Sequence, residues 1–123
     1  MAKLQLMRAQ FWVGAAMLLA DPFAMAHASL AASEPAANAV LVRTPPVLRL
    51  RFSEVLEPAF STVSLRNAQG VLLELGKPAL DAADAHVLSA TLPKLDKGSY
   101  QVRWSAASHD GHRTRGMFSF EIK

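Results

Sequence analysis

The chain has 123 residues, a formal net charge of +3 and no cysteine. This length suits one small domain and is too short for two. Without cysteine the chain can form neither disulfides nor thiolate metal sites, which excludes structural zinc clusters, iron-sulfur clusters and blue-copper centres. Any bound metal would therefore be held mainly by nitrogen and oxygen.

The first 26 residues have the three parts of a secretory signal peptide. Two basic residues precede an apolar run, residues 11–20, and the segment closes on Ala24-Met25-Ala26. The run is about half the roughly 20 residues that a membrane-spanning helix needs. We predict that residues 1–26 are removed and that residues 27–123 form an exported domain without membrane insertion. An uncleaved membrane anchor is the alternative.

Removal of this segment would leave 11 basic and 9 acidic residues, a net charge of about +2. The arginines are spread along the chain rather than clustered. Nucleic-acid-binding domains usually cluster their basic residues on one face, so this distribution disfavours nucleic-acid binding and indicates a solvated surface.

The mature chain predicts short strands. Val47–Phe52 alternates cleanly, with Leu48, Leu50 and Phe52 on one face. Residues 27–43 predict an edge strand and then a turn, because Pro35 disfavours a helix. Residues 67–70 predict the turn of a hairpin, and residues 76–85 a polar connection. The other predicted strands are residues 61–66, 71–75, 86–92, 100–104 and 118–122.

This spacing predicts an all-β domain of about seven strands, a Greek-key antiparallel sandwich or barrel. Leu95, Gly98 and Tyr100 also resemble a tyrosine corner, in which the Tyr100 hydroxyl binds upstream backbone. The alternative is an ordinary half-buried tyrosine.

The loop between the last two strands carries Asp110-Gly111-His112. Because glycine lets the backbone bend, the carboxylate and the imidazole can converge on one point. The loop is therefore a candidate for half of a metal site.

Cleavage after Ala26 would give His27 two donors, a free α-amino group and an imidazole nitrogen. Together with His112 and Asp110 they form a set of three nitrogens and one oxygen. That set suits a tetragonal Cu(II) ion, and copper binds such ligands most tightly among first-row divalent metals. Zinc could use the same atoms with tetrahedral geometry.

The other candidate ligands are weaker. His86 begins a strand and is predicted to be a surface residue. His109 precedes Asp110 and should point away from it in extended backbone, so we predict a surface or accessory role. Met117 would be the only sulfur donor left after processing.

The mature chain resembles the CopC/PcoC periplasmic copper-resistance proteins. The resemblance rests on the following segments: H-A-x-L with S-x-P-A at His27, Leu30, Ser33, Pro35 and Ala36; L-x-F-S-E at Leu50, Phe52, Ser53 and Glu54; Y-x-V-x-W from Tyr100; then S-x-D-G-H and F-x-F. Together they span nearly all of residues 27–123. D-G-H alone would be a weak signal.

The resemblance implies a cupredoxin-like or immunoglobulin-like sandwich that binds one Cu(II) ion through His27, Asp110 and His112. It implies a periplasmic protein that sequesters copper or delivers it to an inner-membrane copper transport protein. Glu54 occupies the position of a family glutamate near the site, and a plain turn carboxylate is the alternative. Residues 71–85 lack the methionines of some members, so we predict no separate Cu(I) site.

Two other classes of function are compatible with the sequence. N-terminal histidine chelation also occurs in copper monooxygenases, but there the metal needs an open equatorial position, which Asp110 would fill. A metal-free structural sandwich is the third possibility, because this architecture hosts many functions. We predict that the protein is not an enzyme.

Overall fold

The computed structural model describes residues 28–123, which fold as two packed β-sheets. The strands in this part of the chain are β1 Leu30–Glu34, β2 Val40–Leu41, β3 Val47–Phe52, β4 Thr62–Asn67, β5 Leu72–Leu73, β6 Ala79–Asp81, β7 Asp84–Thr91, β8 Gly98–Ala107 and β9 Arg113–Ile122. One sheet has the order β1-β3-β7-β6 and the other β2-β9-β8-β4-β5. A 3-10 helix spans Pro58–Phe60. Within the described residues, no helix is both long and apolar enough to cross a bilayer.

The core lies between the sheets, where the inward face of each strand meets its counterpart. The alternation predicted for β3 is confirmed, because Leu48, Leu50 and Phe52 are 1%, 1% and 2% exposed. In the opposite sheet Val102 and Phe120 are equally well buried. Successive side chains of a strand point to opposite faces, so these residues fill the interior while their neighbours face solvent. The predicted all-β sandwich is confirmed.

Tyr100 forms the predicted tyrosine corner. Its hydroxyl donates a hydrogen bond to the Asp96 backbone carbonyl at 2.6 Å. Its ring stacks on Phe120 with a centroid distance of 5.6 Å. The corner therefore fixes the start of β8 against the core.

The predicted hairpin turn at residues 67–70 is also confirmed. The Asn67 side-chain oxygen accepts hydrogen bonds from the backbone N–H groups of Gln69 and Val71 at 3.0 and 2.9 Å. Gly70 has a positive φ of 78°, a conformation that glycine adopts without steric cost. The side chain of Asn67 thus replaces the backbone partners that the turn lacks.

Two predictions about the strands were wrong in detail. Residues 76–85 are not only a connection, because β6 lies within them and pairs with β7, which begins at Asp84 rather than at His86. β2 was not foreseen as a separate strand, and it pairs parallel to β9. The described residues therefore contain nine strands instead of about seven. Strands of two or three residues are too short to show a period-2 pattern.

Candidate metal centre

The hairpin between β8 and β9 positions Asp110 and His112. The two strands pair from Gly98 and Ile122 to Ala107 and Arg113, so residues 108–112 form the tip. The Ser108 N–H donates to the His112 carbonyl at 2.9 Å, and the Gly111 N–H donates to the Ser108 carbonyl at 2.9 Å. Gly111 has a φ of 90°, which explains why glycine stands between the carboxylate and the imidazole.

Asp110 accepts hydrogen bonds on both carboxylate oxygens. Its Oδ1 accepts from the Ser108 hydroxyl and from the His112 backbone N–H, the latter at 3.1 Å. Its Oδ2 lies 2.9 Å from His112 Nδ1. Hydrogen bonds from the Ser108 hydroxyl and from the ring and backbone of His112 hold the pKa of Asp110 well below its usual value. Asp110 is therefore a carboxylate, the form in which it can bind a cation.

The structure thus brings two of the three predicted ligands together on one loop. The His112 side chain is 51% exposed and that of Asp110 is 46% exposed. A carboxylate at Nδ1 orients the imidazole and favours the tautomer whose lone pair is on Nε2, as in many metal-binding histidines. The hydrogen bonds within the loop therefore order both side chains.

The start of the described chain lies beside this loop. Ala28 is fully buried, and its carbonyl accepts a hydrogen bond from the hydroxyl of Thr114, two residues beyond His112. The next residue, Ser29, receives a backbone hydrogen bond from Ser53 at 2.9 Å and donates its own N–H to the Ser53 hydroxyl at 2.9 Å. β9 and the segment after β3 therefore clamp the chain immediately after position 27.

His27 itself lies outside the described residues, as does the predicted signal peptide. Within residues 28–123, no three histidine, aspartate or glutamate side chains are grouped as a metal site. Asp110 and His112 are a pair, and the predicted third ligand stays a prediction.

The other two described histidines lie beside carboxylates outside the Asp110–His112 pair. His109 Nδ1 is 2.6 Å from Glu57 Oε1, so His109 faces the segment after β3, consistent with its predicted direction away from Asp110. His86 Nδ1 is 3.0 Å from Asp84 on β7, and its side chain is 42% exposed, in line with a surface role. Glu54 is partly buried next to Ser53.

Met117 lies on the outer surface of its sheet. Its side chain is 60% exposed, and its sulfur accepts a hydrogen bond from the Gln101 amide at 3.4 Å. Thr114, which binds Ala28, lies on the inward side of β9, so Met117 projects from the opposite side of the same strand. This position separates the sulfur from the clamped start of the chain.

Sequence reasoning missed two residues that shape this region, Ser108 and Thr114. Ser108 donates to Asp110, and its backbone closes the loop. Its spacing of two residues before the carboxylate was a usable signal, because serine hydroxyls commonly bind nearby acceptors in turns. For Thr114 the sequence offered no signal, because its partner Ala28 is 86 residues away.

Three relatives show what this chain is similar to. Protein YobA of Escherichia coli K12 is 33% identical over 106 residues, covering 85% of this chain and 86% of that protein. Copper resistance protein C of Pseudomonas syringae pv. tomato is 32% identical over 116 residues, covering 89% and 90%. Copper transport protein CutJ of Bacillus subtilis is 31% identical over 98 residues, which are 79% of this chain but 18% of CutJ.

The solved structures agree with these relatives. The crystal structure of CopC from Methylosinus trichosporium OB3b superposes with a TM-score of 0.75 at 30% identity, covering 79% of this chain and 94% of that one. The family model for the CopC domain matches residues 30–123. The fold agrees with that match, and this chain belongs to the CopC domain family.

Proposed function

We propose that the protein is a periplasmic copper-binding protein that holds one Cu(II) ion and takes part in copper resistance. The ligands would be the α-amino group and imidazole of His27, the imidazole of His112 and the carboxylate of Asp110. Three nitrogens and one oxygen suit the tetragonal geometry of Cu(II). Copper is the cargo here, and the proposed role is binding rather than catalysis.

One observation carries this proposal, the burial of Ala28 and its hydrogen bond to Thr114. Consecutive Cα atoms are about 3.8 Å apart, so residue 27 is within one such step of the clamped position. Thr114 is two residues from His112. The anchored backbone therefore restricts where an N-terminal His27 could go and favours the side of the sandwich that carries the loop.

Cleavage after Ala26 is part of the same proposal. In the precursor, the nitrogen of His27 would be an amide in the peptide bond to Ala26 and a poor ligand. Removal of residues 1–26 would turn it into an amine with a reference pKa of about 7.7–8.0, which can lose a proton and bind metal. Release of the exported domain and assembly of the copper site would thus depend on the same proteolytic cleavage.

The relatives support a role in copper traffic. The matched region forms 18% of CutJ, a copper transport protein, so in that relative the CopC-like part is joined to a much longer chain. We propose that this chain passes copper to or from a separate inner-membrane copper transport protein.

Titration of the processed protein with Cu(II) in a calorimeter tests the proposal. We expect one ion per chain, and proton release that varies with pH between about 6 and 8, because the amine and the imidazoles must be deprotonated to bind. His27→Ala should weaken binding strongly, whereas the matched variant His86→Ala should not. Binding that is unchanged by His27→Ala, or that takes place without proton release, would contradict the ligand set.

A further inference from the structure

The outer surfaces of the two sheets differ in how their arginines are neutralised. On the four-stranded sheet, Arg49 lies 3.1 Å from Asp81 and Arg51 lies 2.8 Å from Asp84. On the five-stranded sheet, Arg66, Arg103, Arg113 and Arg115 form no ion pair with any residue of the described chain. We call the outer surface formed by β4, β8 and β9 the arginine face.

Strand register places three of the four arginines close together, and Arg113 lies two residues before Arg115 on the same strand. Arg66 is opposite Gln101 and Arg103 is opposite Ser64, so these two arginines are diagonal neighbours. Arg103 is opposite Met117, which makes Arg115 its diagonal neighbour on the other side. Diagonal positions on neighbouring strands are about 7–8 Å apart, close to the Debye length of about 8 Å at physiological salt. Like charges on such positions repel each other, and salt weakens the repulsion without abolishing it.

Carboxylates do not relieve this repulsion within the face. The inward positions of the three strands are set by buried residues such as Leu65, Val102 and Phe118. Among the alternate, outward positions, the one acidic residue is Glu121. It lies six residues beyond Arg115, about 20 Å along an extended strand.

Neutral groups hold three of the arginine side chains in place. Arg66 Nη1 donates to the Gly70 carbonyl at 2.9 Å, Arg103 Nε donates to Gln101 Oε1 at 2.9 Å, and Arg113 Nη1 donates to the Ser105 hydroxyl at 3.2 Å. Such bonds order the guanidinium groups without neutralising them. An ordered guanidinium can bind a carboxylate in a bidentate manner with a smaller loss of side-chain entropy.

We propose that the arginine face is a docking surface for an acidic protein segment, whose carboxylates would supply the missing counter-charges. Arg113 directly follows His112, so a partner bound here would lie next to the Asp110–His112 loop. The link to copper delivery rests on the proposed function, whereas the docking itself does not require copper. A membrane surface fits less well. The outward positions of β4, β8 and β9 have no aromatic side chain to insert between lipids, and their apolar members are Met117 and the buried Ala107.

The test measures binding of an end-blocked hexaglutamate peptide to the metal-free protein, followed by amide chemical shifts. We expect shifts concentrated in β4, β8 and β9, with binding that weakens as salt increases. The double variant Arg103→Gln/Arg115→Gln should weaken binding roughly fivefold or more. The matched variant Arg49→Gln/Arg51→Gln removes the same charge from the other sheet and should leave binding within about twofold.

Three outcomes would overturn the proposal. One is equal weakening by both double variants, which would indicate net charge alone. Another is shifts that lie away from the arginine face, or no binding at all. The third is arginine-dependent binding to vesicles of anionic phospholipid without binding to the peptide. Cu(II) titration of the Arg103→Gln/Arg115→Gln variant should give wild-type affinity, which keeps a failure of docking distinct from a failure of the copper site.

Discussion

Hydrogen-bond donors from two neighbouring residues surround the Asp110 carboxylate. Ser108 and His112 together supply two side-chain donors and one backbone donor. All of these partners lie within two residues of Asp110, so the loop can build this arrangement locally. The predicted metal-binding pair is therefore also the structural centre of the hairpin tip.

Replacing Asp110 by asparagine tests its role as a ligand. The amide keeps an oxygen that can accept the Ser108 hydrogen bond, but it lacks the negative charge with which a carboxylate attracts a cation. We expect Cu(II) affinity to fall by about 10–100-fold or more, because altering even a residue that only supports a metal ligand typically costs that much. Calorimetric titration measures this change. The control Asp96→Asn, at the tyrosine corner, should bind copper as the wild type does, and unchanged affinity in Asp110→Asn would remove Asp110 from the ligand set.

The hydroxyl of Thr114 fixes the start of the described chain through its hydrogen bond to Ala28. Valine has nearly the same shape as threonine but cannot donate to the Ala28 carbonyl. Loss of one hydrogen bond worth about 0.5–1.5 kcal/mol should loosen the start of the chain and weaken Cu(II) binding by about 2–10-fold. Thr62→Val, on the exposed surface of β4, is the matched control. Equal affinities for the two variants would show that the clamp does not position His27.

Asp110 and His112 could be identified as candidate ligands from the sequence, because the glycine between them and the strands on either side are close to them in the chain. Their pairing at 2.9 Å agrees with that reasoning. The role of Thr114 could not be predicted from the sequence, because its hydrogen bond joins residues 28 and 114, which are far apart in the chain. Contacts of such long range depend on how the sheets pack and leave no pattern in a single chain.

Among the elements, the β8–β9 pair connects the core to the candidate site. Trp104 on β8 contacts the ring of Phe52 edge-on, with centroids 5.1 Å apart at 73°. On β9 its cross-strand partner is Gly116, and a Cβ atom at that position would overlap the indole. Glycine is required there because the indole lies across the β9 backbone.

Gly116→Ala should therefore destabilise the sandwich. Overpacking of a well-packed region typically costs about 1–3 kcal/mol. Urea unfolding followed by Trp fluorescence measures the change in the free energy of unfolding. An exposed position three residues further along β9 provides a control, and Ser119→Ala should change stability by less than about 0.5 kcal/mol. A Gly116→Ala variant as stable as the wild type would show that the indole can move away at little cost.

The longer strands were predictable, and of the shortest strands only β5 was, as the partner strand that follows the turn at residues 67–70. β3, β4, β8 and β9 have six or more residues and alternate between buried and exposed positions, so their period was visible. β2 and β6 have two and three residues and form at sheet edges through backbone pairing. Backbone hydrogen bonds do not depend on side-chain identity, so no sequence pattern identified these two strands.

At the scale of the whole molecule, acid should weaken the fold through Asp84. The backbone N–H of His86, followed by the His86 ring and Arg51, lowers the pKa of Asp84 below its usual value. A carboxyl whose pKa is lower in the folded state stabilises the fold above its unfolded pKa of about 3.9. That contribution is lost as the pH falls through the lower, folded value.

Asp84→Asn should remove this part of the pH dependence. We expect the wild type to lose more stability than the variant between pH 7 and pH 3, as measured by urea unfolding at the two pH values. The exposed control Glu74→Gln should follow the wild type. A pH dependence that is identical in Asp84→Asn and the wild type would show that the Asp84 interactions are equally strong in the unfolded chain.

We propose that a free amine at His27 completes a copper site begun by Asp110 and His112. EPR spectroscopy of the Cu(II)-loaded protein tests it most directly, with the processed chain compared to a chain that carries one extra glycine before His27. We expect a tetragonal Cu(II) spectrum with three nitrogen ligands for the processed chain. For the extended chain we expect a changed spectrum and weaker Cu(II) binding. Identical spectra and affinities for the two chains would contradict it.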